Sequence, residues 1–148
     1  MKKTQFLTGV LLVLGLAGCV DRSLNGDKPK GEPAVVSLAV PATIAWLGLV
    51  DNGAYEASWT DAAPYFKAAV SQADWVKAMR AFRAPLGGLI SRKIKSSYYT
   101  TALPGAPDGN YVVIQFDTVF ERKAHTIETV TAMLDDDDRW NAAGYFIK

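Results

Sequence analysis

The hydrophobic period of this chain changes once, at Pro85-Leu86-Gly87-Gly88. Before that point apolar residues recur every three or four positions, the spacing of a helix face. After it they alternate, as in strands with one buried side. Helices followed by an antiparallel meander give an α+β domain, with N-terminal helices packed on one face of the sheet.

The first half divides at its breakers. Val36 to Val50 sets Ala42, Ala45, Trp46, Leu49 and Val50 near one face, and Asn52-Gly53 stops that helix, since glycine takes the left-handed C′ conformation readily. Ala54 to Trp59 predicts a second, short helix. Thr60 or Asp61 caps a third, with Pro64 in its first turn. Ser71 to Asp74 has capping-box spacing. The helix it opens shows Trp75, Met79 and Phe82 on one face and Lys77, Arg80 and Arg83 on another.

In the second half, Ile90 to Ser96 predicts a first strand, followed by the Pro/Gly/Asp loop of residues 103–110. Tyr111 to Arg122 is the clearest strand. Val112, Ile114, Phe116, Thr118 and Phe120 share the face that meets the helices, and Tyr111, Val113, Gln115, Asp117 and Val119 share the other. A turn over residues 121–126 leads to a third strand, Ile127 to Leu134. A second turn, Asp135 to Arg139, leads to a fourth that closes the chain.

The extreme N-terminus has a different character. Lys2 and Lys3 precede an apolar run from Phe6 to Ala17, a secretory layout too short for an ordinary spanning helix of roughly 20 residues. The run ends in Leu16-Ala17-Gly18-Cys19, which resembles the lipobox of bacterial lipoproteins. That resemblance implies cleavage after Gly18, acylation of the Cys19 thiol, and stable anchoring by two or three acyl chains. It also accounts for the single cysteine, which can make no internal disulfide. Val20, rather than an aspartate, follows the cysteine; by analogy with lipoprotein sorting this directs the protein to the periplasmic face of the outer membrane. The chain therefore divides into a signal peptide (1–18), a lipidated N-terminus with a polar, Gly/Pro-rich disordered tether (19–34) and one α+β domain (35–148). Removing Lys2 and Lys3 from the 16 basic residues leaves 14 against 15 acids. That near-neutral balance speaks against a nucleic-acid partner.

The phrases "AWLGLVDNGAYEASWTDAAPYFK", "FRAPLGGLISRKI", "LPGAPDGNYVVIQFDTVFERK" and "ETVTAMLDDDDRWNAAGYFI" resemble a bacterial family described as domain of unknown function 4019. The order of elements resembles the nuclear-transport-factor-2-like, or cystatin-like cone, fold. The resemblance implies helices lying across a strongly curved sheet around a pocket, and an exported location. It implies no activity.

Candidate sites follow from residue type and place. Trp46, Tyr55, Trp59, Trp75, Phe82 and Phe116 are candidates to line a pocket, although aromatics at helical spacing are ordinarily core. Lys77, Arg80, Arg83, Arg92, Lys93 and Lys95 form a basic run without an intervening acid. It is either a patch for an anionic ligand or, the preferred reading, a solvated surface with an edge strand guarded by lysines. His125, the only histidine, falls in a predicted turn, where a general base lacks an orienting partner. Asp135 to Asp138 lack the spaced ligands and the glycine of a calcium loop, so neither metal nor cofactor is expected. The reading that results is a non-enzymatic envelope lipoprotein that binds a protein or an apolar ligand. A cone-fold isomerase or cyclase is the alternative, and a homodimer through the open sheet face is a third.

Overall fold

The computed structural model describes residues 32–148. The predicted signal peptide and lipobox, Cys19 and residues 20–31 lie outside the described residues. Helices α1 (Glu32–Asp51), α2 (Tyr55–Thr60), α3 (Pro64–Ala69) and α4 (Gln72–Phe82) come first. A 3-10 turn (Ala84–Leu86) leads into strands β1 (Leu89–Thr100), β2 (Tyr111–Phe120), β3 (Lys123–Leu134) and β4 (Trp140–Ile147). The strands form one open, curved antiparallel sheet in the order β1-β2-β3-β4. Register shifts in all three strand pairs supply the local bends that curve it.

Helix α1 is already helical at Glu32, so residues 32–34 belong to the domain and not to the tether. Pro33 suits a first turn, where its missing N–H costs nothing. The Glu32 carboxylate also accepts a hydrogen bond from the Tyr99 backbone N–H at 3.4 Å, which docks this end on β1. At the other end, the Gly53 N–H donates to Val50 O and the Ala54 N–H to Leu49 O, with Gly53 at φ 71°. That is the Schellman arrangement the Asn52-Gly53 pair predicts. Helix α3 has Ala63 at its N-cap with no side-chain cap, in place of Thr60 or Asp61; the Thr60 hydroxyl donates back into α2, to Glu56 O. The Ser71 hydroxyl caps α4 as expected, accepting from the Asp74 N–H at 3.1 Å.

The sheet face under the helices is the predicted one. Val112, Ile114, Phe116, Thr118 and Phe120 are all buried. Tyr111 and Val113 on the opposite face are buried too, because Leu103 folds over them in a small second cluster. The main core joins the strands to α1, α2, α3 and α4 through Trp46, Leu47, Tyr55, Phe66, Trp75 and Tyr145.

Helix α4 departs from its predicted faces. Trp75, Val76 and Met79 are buried, but Phe82 is 55% exposed and Arg83 only 2%. The inward stripe runs through positions 75, 79 and 83, and position 82 falls outside it. The β2–β3 turn also differs. It is only Glu121-Arg122, so His125 lies within β3, exposed, and not in a turn. The turn is tightened from the 3-10 side, where the Gly88 N–H donates to the Glu121 carboxylate at 2.8 Å. A Cβ at Gly87 (φ 79°) would come within 2.6 Å of Glu121 Oε2.

Candidate functional site

Two of the six predicted basic residues leave the surface. Arg83, at the C-cap of α4, reaches Asp51 at the end of α1 (Nη2 to Oδ1, 3.0 Å). Arg92, on β1, grips the same carboxylate with two bonds of 2.7 and 2.9 Å. Its remaining donors meet Glu128 on β3 at 2.7 and 3.2 Å. Thr118 on β2 and Tyr145 on β4 also donate to Glu128, at 2.6 and 2.5 Å. The Arg83 guanidinium lies 4.1 Å from the Phe120 ring centroid, close enough for cation–π attraction. Two arginines and two carboxylates thus form a charge-balanced network between the helix layer and all four strands.

Glu128 is 0% exposed. Its two oxygens accept four hydrogen bonds, which is the full capacity of a carboxylate. Burial alone works to raise the pKa of Asp51, because it disfavours the charged carboxylate. The hydrogen bonds and charges of Arg92 and Arg83 overcome it and hold that carboxyl below its ordinary value. The Tyr145 hydroxyl is pushed well above its ordinary value, first by burial and then by the charge of Glu128 and the bond it donates to it.

The remaining basic residues disperse. Arg80 pairs with Glu56 at 3.5 Å on the helix surface, and Lys95 with Asp117 at 3.3 Å on the sheet face away from the helices. Lys77 is exposed on α4 and Lys93 on β1. The six do not gather into one anion patch. Most of the predicted pocket aromatics are core: Trp46 and Trp75 pack on each other and on Phe66 and Tyr145, which were not in that set. Trp75 has its ring centroid 5.1–6.2 Å from those of Phe66, Trp46 and Tyr145, and the indoles of Trp46 and Trp75 both donate to Ser58. Tyr55 and Phe116 are buried in the same core, and Trp59 packs against it and donates to Val70 O. Phe82 stands in solvent. Except for Phe82, those residues stand in or against the core.

Concave surface lies elsewhere. The open sheet face carries a hollow of about 500 Å³ lined by Tyr98, Val113, Gln115, Thr129, Thr131 and Phe146. A cleft of about 630 Å³ opens beside the N-terminal half of α1, lined by Val35, Leu38, Ala42, Tyr99, Leu134 and Trp140. Among the described residues no three His, Cys, Asp or Glu side chains group as metal ligands. Asp135 instead builds its own turn, accepting from the backbone N–H of Asp137 and Arg139 and from the Asn141 amide.

Asp51, Thr118, Glu128 and Tyr145 had no place among the predicted site residues. A signal existed: Arg92 is in phase with Ile94, and Glu128 with Val130, so opposite charges sit at the inward positions of two strands.

The fold and this network define a helix-on-open-sheet α+β domain with a buried ionic centre, in which Glu128 is fully hydrogen-bonded and Arg83 Nε is left without a partner. A family model described as "Protein of unknown function (DUF4019)" matches residues 42–145, and the chain belongs to that family. No curated protein and no solved structure matches the chain. Among the described residues α1 is long and apolar enough to cross a membrane, with mean hydropathy 1.9, a composition compatible with a signal or an anchor. Its Ala39, Trp46, Leu47 and Val50 nevertheless pack into the core.

Proposed function

We propose that this chain is an exported lipoprotein, acylated at Cys19 and held on the periplasmic face of the outer membrane, whose cone-like domain is an interaction module and not an enzyme. The observation that carries the reading is the state of Glu128. A cone-fold isomerase or cyclase works through an acid or base with a lone pair open to its ligand. The buried carboxylate of this domain has none to offer, since Arg92, Thr118 and Tyr145 occupy all of them. The surface left for recognition is the open sheet face, and the occupant assigned to it is a second copy of the chain. Lys95 and Asp117 stand side by side there, so two copies related by a two-fold axis can set opposite charges against each other around the apolar Val113 and Phe146.

The test is photocrosslinking in the native envelope, with benzoylphenylalanine at Thr129 of the full-length chain. An adduct of twice the chain mass is expected from Thr129 and none from Ala57 on the exposed helix side. An adduct with a different protein would keep the interaction reading and replace the occupant. No adduct from Gln115, Thr129 or Phe146 would overturn it.

A further inference from the structure

Helix α1 has an unusual outer side. Between Glu32 and Asp51 it carries no charged residue. Its inward stripe, Ala39, Thr43, Trp46, Leu47 and Val50, is buried on the sheet. The opposite arc contains Ala34, Ser37, Pro41 and Ala45, flanked by Leu38 at 67% and Ile44 at 50% exposure. A helix on the water-facing surface of a domain ordinarily places charges on that arc. Contiguous exposed apolar surface of this kind marks a contact site. It also extends beyond the helix. The two ends of α1 contact Tyr99 and Arg92, so β1 runs antiparallel along it, and the exposed Ile94 falls toward its C-terminal end. Leu38 borders the apolar cleft with Trp140 and Leu134.

We propose that this outer face of α1 seats on the lipid bilayer itself. The inference rests on acylation of Cys19. Only residues 20–31 separate that cysteine from Glu32. At 3.3–3.6 Å per residue the helix therefore starts no more than about 47 Å from the anchor in any conformation. The apolar arc is held within reach of a lipid surface at all times. An interfacial helix buries its apolar side in the boundary between headgroups and acyl chains. Here the domain core covers the side that would otherwise face water. The arc has no cation to attract anionic headgroups, so seating is driven by apolar contact and is indifferent to salt and to lipid charge. Because the sheet lies on the far side of α1, its open face is directed away from the membrane, where a second copy can reach it.

The experiment uses the full acylated chain in phosphatidylcholine vesicles, with and without phosphatidylglycerol. Acylated Cys19 has no free thiol, so Leu38→Cys, Ile44→Cys and, as control, Thr129→Cys each carry one environment-sensitive nitrobenzoxadiazole label. Labels at positions 38 and 44 are expected to brighten and shift blue on vesicles, and to be quenched by a lipid-borne nitroxide. The label at 129 should do neither, and neither salt nor phosphatidylglycerol should alter the pattern. Labels at 38 and 44 that stay aqueous on an acylated chain would overturn the seating and leave the lipoprotein reading intact. Protection that grows with protein density at fixed lipid would assign the face to a second copy and also overturn it. The mass of the N-terminal peptide reports acylation separately, and an unmodified Cys19 would overturn both readings.

Discussion

The Tyr145 hydroxyl donates to Glu128 Oε1 at 2.5 Å, joining the aromatic core under the helices to the ionic centre of the sheet. Tyr145 also packs edge-on against Trp46 at 5.6 Å and Trp75 at 6.2 Å. One residue thereby ends the apolar cluster and begins the polar one. Tyr145→Phe keeps the packing and removes the donor, and should cost about 1.5–3 kcal/mol, the range for a hydrogen bond to a charged group. Glu128→Ala leaves Arg92 with only half of its carboxylate partners in a buried setting. It should cost about 3–5 kcal/mol, as when one member of a buried pair is removed. Urea denaturation of the two variants checks both values. The double variant should cost less than the two singles added, since both act on one bond.

Arg83 and Phe82 give a comparison between neighbours. Phe82→Ala removes an exposed ring and should change stability by less than about 0.5 kcal/mol. Arg83→Ala removes the partner of Asp51, the bond to Gly87 O and the contact with Phe120. It should cost about 3–5 kcal/mol, because Asp51 loses one of its two cations inside the network. Equal effects in thermal or urea melts would place the stripe of α4 back on position 82.

Those neighbours also show what the sequence could and could not reveal. The period change at Pro85–Gly88 and the alternation from Tyr111 onward were legible because both depend on local spacing, and the burial of Val112, Ile114 and Phe116 follows from it. The face of α4 was not. At its C-terminus the choice between Phe82 and Arg83 turns on whether a carboxylate waits inside, and Asp51 is 32 residues away in the chain. Burying a guanidinium is unfavourable until its partners are in place. A reading by hydrophobicity alone therefore puts the phenylalanine in and the arginine out. The ionic centre was hidden for the same reason, since Asp51, Arg92 and Glu128 meet only when α1, β1 and β3 come together. The aromatic residues were legible as a set, yet whether they enclose space or fill it depends on side-chain packing that no periodicity encodes.

The two faces of β2 differ in what a substitution should cost. Phe116 is fully buried beneath the helices, and Phe116→Ala should cost about 3–5 kcal/mol, the range for a large core aromatic. Asp117 is exposed beside Lys95 on the open face, and Asp117→Ala should cost less than about 1 kcal/mol, as for other surface ion pairs. Chemical denaturation gives both numbers. The reverse order would mean that the sheet meets the helices with its other side.

The ionic centre also contributes to the pH dependence of the fold, in opposite directions at its two ends. Asp51 is held below its ordinary value of 3.8: burial opposes the charge, but Arg92 and Arg83 outweigh it. The unfolded chain therefore takes up this proton first as the pH drops. The stabilisation from Asp51 is complete above about pH 4 and is lost as the pH falls through the folded value. Tyr145 is shifted the other way, raised well above its ordinary 10.0 by burial and by Glu128. Above about pH 10 the unfolded chain releases its phenolic proton while the folded one keeps it, so stability declines as the pH climbs toward the folded value. Urea midpoints measured across pH should fall at both ends. Asp51→Asn should make the acid limb shallower and leave the alkaline limb, and Tyr145→Phe should do the converse, with Asp135 and with Tyr98 and Tyr111, shifted in the same directions, supplying the remainder. An alkaline limb unchanged in Tyr145→Phe would show that the phenol does not titrate against Glu128.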